Sequence, residues 1–182
     1  MKIALIIAAV VIIGLAIVIA TRPAQFRVTR SATMSAPPQR VFEHVNDLHK
    51  WDAWSPWAKL DPNAKNAFSG AESGAGATMS WAGNSKVGEG TMTITESVPS
   101  ERIRMRLEFL RPMKAVNDTE FTFTPEADST RVTWTMSGTN NFVGKAFSLF
   151  VDCDKMIGGD FEKGLATIKS LVEAPVNTSA AR

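Results

Sequence analysis

Cysteine occurs once in the 182-residue chain, at Cys153, and histidine only twice, at His44 and His49. A single cysteine excludes an internal disulfide. The five-residue gap between the histidines does not place them on one helical face, so we expect no metal site, and no cofactor motif is found. A cysteine nucleophile is disfavoured because Asp152 and Asp154 flank Cys153, and like charge opposes formation of its thiolate.

Motifs of nucleophilic and phosphate-binding sites do not occur either. The chain has no Gly-x-Ser-x-Gly elbow, and the Gly-Glu-Gly sequence at 88–90 is not followed by the lysine and helix of a phosphate-binding loop. The formal net charge is only +2 at pH 7. Apart from Arg22, Arg27 and Arg30 the basic residues form no run, so we expect no nucleic-acid partner.

One apolar run, Ile3–Ala20, contains eighteen residues without a charge. At about 1.5 Å per residue, a helix of this length crosses a bilayer core of about 30 Å. It has no polar face, so it is typical of a membrane segment or a signal sequence rather than of a core helix. Val18 and Ala20 suit cleavage after Ala20, but the run is longer than a usual signal core, which favours a retained single-pass anchor in the cell membrane. The arginines that follow slightly favour a cytoplasmic domain, although a large domain can be exported in spite of them.

The rest of the chain predicts one domain. We assign residues 1–22 to the anchor or signal sequence, 23–173 to the domain, and 174–182 to a small polar tail that we expect to be disordered. About 150 residues are enough to form a core without disulfide or metal staples.

The last long segment, Asp154–Val172, carries an apolar stripe at steps of four and three residues, which predicts one face of a helix. The stripe consists of Ile157, Phe161, Leu165, Ile168 and Val172. Gly158 and Gly159 inside it each cost about 1 kcal/mol of helix propensity relative to alanine. We therefore expect a neighbouring backbone to approach the helix there, or the helix to bend. A shorter helical piece is predicted before it, over Phe142–Val151.

Much of residues 25–136 alternates apolar and polar residues with period two, which predicts about six or seven antiparallel strands joined by short turns. Leu60 to about Ala75 is rich in turn formers and is predicted to be a loop. A sheet with one apolar face needs a partner. We therefore predict an α+β fold in which a curved antiparallel sheet wraps around the long C-terminal helix, preceded by an N-terminal transmembrane helix.

A short helix and an aromatic cluster follow the first predicted strand. Ser35 is a plausible cap, and Val41, Phe42 and Val45 give the helix an apolar face. The cluster that follows, with spacings of three, comprises Leu48, Trp51, Trp54 and Trp57. Its indoles either plug one end of the core or line an entrance and stack on a ligand ring.

These elements resemble the SRPBCC superfamily. The resemblance is carried by the run Asn-Asp-Leu-His-x-Trp-x-x-Trp-Ser-Pro-Trp at Asn46–Trp57 and by Asp-Phe-Glu-Lys-Gly-Leu at Asp160–Leu165. Over about Phe26–Glu173 the chain is most similar to the polyketide cyclase/dehydrase-like branch, which shares the helix-grip fold of START and birch-pollen-allergen proteins. The resemblance implies a deep cavity for a hydrophobic small molecule between helix and sheet. Members bind lipids, quinones, sterols or polyketides, and some are catalysts.

Methionines recur at the inward positions of the predicted strands. Methionine fits a pocket for a flexible apolar ligand, and ordinary core filling explains it equally well. The residues predicted to line the ligand site are Trp54, Met79, Trp81, Met92, Ile94, Met105, Leu107, Phe121, Trp134, Met136, Ile157 and Phe161.

Four polar residues are further candidates. Glu96 continues the inward register of its strand, and Asp160 lies at the edge of the helical stripe, so either could serve as a general acid or base. The alternative for Glu96 is that it only marks the end of its strand. For Asp160 a solvated flank or a salt bridge is the alternative. His49 is more typical of a structural histidine. Arg30 shares the inward parity of its strand, and contact with lipid headgroups is its alternative role.

Three functions remain. The leading one is a membrane-anchored binding protein for a hydrophobic small molecule or lipid. The second is a polyketide cyclase or dehydratase-like enzyme that uses Glu96 or Asp160. The third is a module that binds a protein partner through an outer sheet face bearing Arg102, Arg104 and Arg106.

Overall fold

The computed structural model describes residues 1–175. The helices are α1 (Lys2–Thr21), α2 (Pro38–Asn46), a 3₁₀ helix (Leu48–Ala53), α3 (Phe142–Phe147) and α4 (Cys153–Glu173). The strands are β1 (Gln25–Met34), β2 (Lys65–Gly70), β3 (Ala77–Ala82), β4 (Glu89–Val98), β5 (Arg102–Arg111), β6 (Ala115–Glu126) and β7 (Ser129–Thr139). Residues 176–182 of the tail predicted to be disordered lie outside the described residues.

The seven strands form one antiparallel sheet in the order β1-β7-β6-β5-β4-β3-β2. Strands β2 to β7 follow one another as a meander, and β1 joins the edge at β7, with Gln25 opposite Thr139 and Met34 opposite Thr130. Together with the long C-terminal helix, this arrangement confirms the predicted α+β helix-grip architecture and the N-terminal apolar helix.

The prediction of a loop from Leu60 to about Ala75 is wrong over Lys65–Gly70, which forms β2. This strand pairs with β3 along its whole length, from Lys65 opposite Ala82 to Gly70 opposite Ala77. All six of its residues are exposed. An edge strand that buries neither face has no apolar alternation, so its sequence resembles a loop.

Two helix boundaries also differ from the prediction. The piece expected to reach Val151 ends at Phe147, as α3. The first residue of α2 is Pro38, and its N-cap is Pro37. Ser35, which we expected to be the cap, instead donates its backbone N–H to Glu173 of α4 at 2.7 Å. The N-terminus of α2 is therefore set by proline geometry rather than by a side-chain cap.

The sheet has an inner face covered by helices and a polar outer face. Across the middle of the inner face, Arg30, Trp134, Phe121 and Ile103 lie side by side on β1, β7, β6 and β5. We call the end of the sheet where β1 begins and β7 ends the proximal end. The opposite end, where β1 ends at Met34, is the distal end.

Helix α4 lies on the inner face along β1 and runs from the proximal toward the distal end. Its predicted stripe is buried at Phe161, Leu165, Ile168 and Val172, while Ile157 is partly buried. Near its C-terminus, Lys169 donates from Nζ to the carbonyl of Thr33 at 2.7 Å. The stripe predicted from its spacing is therefore the face that packs on the sheet.

A side chain, not a backbone, approaches Gly158 of α4. A Cβ atom at Gly158 would lie 2.1 Å from Nη2 of Arg30, whereas one at Gly159 would meet no atom within 4 Å. Arg30 reaches over Gly158 to Asp154, with Nη2 to Oδ2 at 2.8 Å, and to Glu162, with Nε to Oε1 at 2.7 Å. Glycine at 158 thus lets this guanidinium clamp α4 to β1.

Helix α1 is long and apolar enough to cross a membrane, the one such helix among the described residues. This fits a single-pass anchor or a signal sequence. Its last turn contacts α3, where Nζ of Lys145 donates to the carbonyl of Ala20 at 3.1 Å. Three residues, Arg22–Ala24, connect α1 to β1.

Candidate functional site

The centre of the inner face is filled by aromatic side chains. Trp134 stacks on Phe161 of α4, with ring centroids 3.9 Å apart, and on Phe121 at 4.7 Å. Trp51 and Trp54 meet these rings edge-on. Eight of the predicted ligand-lining residues belong to this packed core and are at most 5% exposed: Trp54, Met92, Ile94, Met105, Phe121, Trp134, Met136 and Phe161.

Two tryptophans of the cluster after α2 are fixed in this core. Nε1 of Trp51 donates to the carbonyl of Val45, and Nε1 of Trp54 to that of His44, both at 3.0 Å. Trp57 is only partly buried and packs edge-on against Trp134 at 5.9 Å. Trp51 and Trp54 therefore occupy the position of a plug, and Trp57 lies at its margin.

Toward the proximal end, the inner face stays apolar but is only partly covered. Met79 of β3 faces Met92 of β4, which faces Leu107 of β5, and both Met79 and Leu107 are partly exposed. One step further, Trp81 lies edge-on to Phe109, with centroids 5.7 Å apart. We call the surface formed by these four partly exposed side chains, Met79, Trp81, Leu107 and Phe109, the proximal cleft.

The position of α4 explains why the cleft is open. The helix packs along β1, at the opposite side of the sheet from β3. Ile157, in its second turn, is the partly buried member of its stripe. Four predicted lining residues, Met79, Trp81, Leu107 and Ile157, are thus partly accessible.

Two buried polar atoms of the inner face have no hydrogen-bond partner among the described residues: Oγ1 of Thr119 and Nε1 of Trp134. Thr119 is 3% exposed and lies opposite both Met136 and Met105. It stands between the packed centre at Phe121 and the proximal residue Asn117 on the same strand. Buried polar groups almost always have a partner, so these atoms can bond water or a ligand.

Thr119 was missed by the sequence reasoning. Its signal is its parity with Phe121 and Phe123, which marks it as an inward polar residue in an apolar row.

The predicted inward direction of Glu96 is wrong. A register shift between Ile94 and Glu96 places the carboxylate opposite Arg104, on the outer face. There it accepts hydrogen bonds from Arg102 and, at 3.0 Å, from Nη1 of Arg104. The hydrogen bond from Arg102 holds the pKa of Glu96 below its ordinary value, so the side chain is a carboxylate engaged in ion pairs, away from the inner face.

The other polar candidates are also paired. Asp160 lies at the edge of the α4 stripe, partly buried, and accepts from Nζ of Lys163 at 2.9 Å. The His49 ring is half-exposed, with Nδ1 3.1 Å from Asp47 Oδ1, and it stacks on Phe68. Arg30 faces inward as its parity predicts, and its guanidinium forms ion pairs with Asp154 and Glu162 of α4.

The three arginines of the outer face have carboxylate partners. Arg102 pairs with Glu96, and Arg104 pairs with Glu96 and Glu120. Nε of Arg106 lies 2.7 Å from Oε1 of Glu108. A surface depression of about 320 Å³ opens beside them. Because each cation is neutralised, this face does not present the excess positive charge expected of a site for an acidic partner.

A larger depression, of about 530 Å³, lies at the proximal end. It is bordered by the β5–β6 hairpin, with Phe109, Leu110 and Val116, by Thr139 at the end of β7, and by Asn141, the N-cap of α3. Neither depression lies between α4 and the sheet. Among residues 1–175 no group of His, Cys, Asp and Glu side chains is arranged to hold a metal ion.

The sequence model of the family described as "Polyketide cyclase / dehydrase and lipid transport" matches residues 25–173. The chain belongs to this family. The match runs from β1 to the end of α4, which confirms the resemblance to the polyketide cyclase/dehydrase branch. Helix α1 lies outside the family match.

Solved structures share the fold of this family member. Protein CV1439 from Chromobacterium violaceum is 19% identical, with 85% of this chain and 100% of that chain covered and a TM-score of 0.59. The Aha1 dimer from Colwellia psychrerythraea is 14% identical, with 81% and 96% covered and a TM-score of 0.58. The di-domain ARO/CYC BexL from the BE-7585A biosynthetic pathway is 15% identical, with 87% and 53% covered and a TM-score of 0.62.

At these identities the likeness shows the fold alone. No curated protein sequence matches the chain.

Proposed function

We propose that this family member is a binding protein for a hydrophobic small molecule or lipid, held at a membrane by α1, and that its ligand lies in the proximal cleft. One observation carries the proposal. The same apolar face that is fully packed at its centre is left partly uncovered at Met79, Trp81, Leu107 and Phe109. Small-molecule sites are lined mainly by accessible apolar and aromatic side chains of this kind, with a small number of polar groups.

The chemistry of the inner face indicates the class of ligand. The cleft offers methionine, leucine and aromatic surface, which suits a flexible apolar chain or ring. Between the cleft and the packed centre, the Thr119 hydroxyl can bond a neutral polar group, such as a hydroxyl or carbonyl. The inward cation Arg30 is already bonded to Asp154 and Glu162. We therefore favour a ligand with an apolar body and a neutral head over an anion.

Retention of α1 as an anchor would support the same role. A single-pass α1 would keep the domain beside the bilayer, where hydrophobic molecules are concentrated. Binding is favoured over cyclase or dehydratase chemistry because neither proposed acid or base is free in the cleft. Glu96 is ion-paired on the outer face, and Asp160 is paired with Lys163 at the margin of α4.

The test compares what three forms of the full chain retain through purification. Wild type, Leu107→Glu and the control Leu171→Glu are purified in the same detergent, extracted with organic solvent and analysed by mass spectrometry. Leu107 lies in the cleft, whereas Leu171 lies at the distal end of α4, partly exposed. Because all three share detergent and surrounding lipid, a bound ligand is the species that differs among them.

We expect a hydrophobic species in near-stoichiometric amount with wild type and Leu171→Glu, and at least about tenfold less with Leu107→Glu, since a carboxylate in the cleft opposes apolar burial. Circular dichroism checks that all three are folded. Equal amounts in all three proteins would overturn the proposed site.

A further inference from the structure

Exposed apolar side chains are concentrated at one end of the domain. Outside residues 1–21, most of the large ones lie at the proximal end, and the exceptions are Phe68, Met156 and Leu171. They come mainly from two segments, the β5–β6 hairpin at 110–116 and the α3 segment at 142–150, which together we call the apolar rim. The most exposed is Phe150, at 83%. A patch of this kind marks an interaction surface.

The rim is continuous with the membrane helix. The last turn of α1 is bonded to α3 through Lys145 and Ala20. After the three-residue link, the backbone N–H of Asn140 donates to the carbonyl of Ala24 at 2.7 Å. If α1 leaves the bilayer at Thr21, α3 therefore lies at the membrane surface, because it is bonded to the last turn of α1.

Basic side chains accompany the apolar ones in the rim. Lys114 lies in the hairpin, Lys145 in α3, and Arg22 in the link between α1 and β1. Apolar side chains flanked by lysine and arginine are typical of segments that lie at the interface of a bilayer with anionic headgroups. The position of the rim, its exposed apolar side chains and its positive charge all favour contact with a lipid bilayer.

We propose that the apolar rim inserts into the headgroup boundary of the bilayer that α1 crosses. The domain then rests on the membrane rather than standing clear of it. Leu107 and Phe109 of the proximal cleft lie on β5 next to the hairpin at 110–116, so insertion of that hairpin brings the cleft close to lipid. A hydrophobic ligand exchanges between bilayer and cleft without passing through water. This inference rests on the retained anchor of the proposed function, but not on the identity of a ligand.

The experiment measures the depth of nitroxide labels on the full chain. In a Cys153→Ser background, single cysteines replace Phe150 in the rim or, as the control, Leu171 at the distal end. The protein is reconstituted in vesicles of phosphatidylcholine and phosphatidylglycerol, and collision of the label with oxygen is compared with collision with a water-soluble nickel chelate. We expect oxygen to dominate severalfold at position 150 and the nickel chelate to dominate at position 171.

A second variant tests the cause. With a label at Met113 on the hairpin, Phe147→Glu combined with Phe150→Glu should move the label from the lipid to the aqueous pattern, whereas Leu171→Glu should leave it unchanged. Both phenylalanines are exposed, so the fold does not depend on them.

Two results would overturn the inference. Dominant nickel collision at position 150 would mean that the domain stands clear of the bilayer. Shielding from both reagents with dipolar broadening would mean that a second copy covers the rim. Loss of α1, seen in the intact mass of the protein isolated from cells, removes the premise. Failure of the extraction experiment concerns the ligand alone and leaves these depths unaffected.

Discussion

The centre and the proximal part of the inner sheet face have similar apolar residues, but the centre is buried and the proximal part is partly exposed. On β5, Ile103 at the centre is completely buried, whereas Leu107, four residues further on the same face, is partly exposed. The strand and the parity are the same, so the difference comes from the covering helices. Trp51, Trp54 and Phe161 reach the centre, but α4 is clamped over β1 and leaves the proximal part of β3 and β5 partly exposed. Which half is packed and which is left partly exposed is therefore decided by helix placement, not by strand sequence.

The largest expected effect is on the stability of the packed half. Ile103→Ala should lower the free energy of unfolding by about 2 to 5 kcal/mol, because it leaves a cavity in a filled core. Leu107→Ala should cost only about 1 kcal/mol, because its side chain is partly in water already. Urea unfolding of both variants, followed by circular dichroism in detergent micelles, measures the two losses. Equal losses would remove the distinction between the halves.

Substitutions at Gly158 and Gly159 test the contact by which Arg30 holds α4 on β1. Gly158→Ala should cost about 1 to 3 kcal/mol, because the new methyl group overlaps the Arg30 guanidinium and displaces it. Gly159→Ala has open space and should gain up to about 1 kcal/mol from helix propensity. The same unfolding experiment compares them. A stabilised Gly158→Ala variant would contradict the proposed contact.

The boundary between the halves is tested at two buried threonines. In the ligand-free protein, Thr119→Val removes a hydroxyl that has no hydrogen-bond partner among residues 1–175 and should raise the free energy of unfolding by about 1 kcal/mol. The same substitution should reduce the amount of ligand that copurifies. In Thr135→Val, the control, the lost hydroxyl shares a hydrogen bond with Thr29 at 3.1 Å, so a loss of about 1 kcal/mol is expected. If Thr119→Val destabilises as much as Thr135→Val, its hydroxyl already has a partner.

The smallest effect is the pH dependence of the clamp. The hydrogen bond that Arg30 donates to Asp154 lowers the pKa of this carboxyl below its ordinary value of 3.8. The carboxylate therefore contributes stability above that value, and the contribution is lost as pH falls through the lower pKa of the folded state. The stability difference between wild type and Asp154→Asn, measured from neutral to acid pH, should shrink in acid. A difference that grows in acid would reverse the sign of this argument.

Much of the fold follows from periodicity in the sequence. The stripe of α4 and the alternation of β1, β5 and β7 predict which side chains face inward, because burial imposes periods of about 3.6 and 2. Strand β2 was missed because an exposed edge carries no such period. Glu96 was misplaced because a bulge reverses parity without leaving a mark in the alternation of its neighbours.

The site was harder to predict than the fold. Periodicity groups Leu107 with Ile103 and does not say which one a helix will cover. That depends on the long-range contact of Arg30 with Asp154 and Glu162, which joins residues more than one hundred positions apart. Sequence reasoning noted the inward parity of Arg30 but could not identify its partners.

The most direct test of the central claim is to locate a bound apolar molecule chemically. The full chain in phosphatidylcholine vesicles is irradiated with a long-chain alcohol that carries a diazirine near the end of its chain, and the labelled peptides are identified by mass spectrometry. Adducts should appear on the peptides that contain Met79–Trp81 and Leu107–Phe109, and fall sharply in Leu107→Glu but not in Leu171→Glu. Adducts confined to α1 and the apolar rim would contradict a ligand site in the proximal cleft.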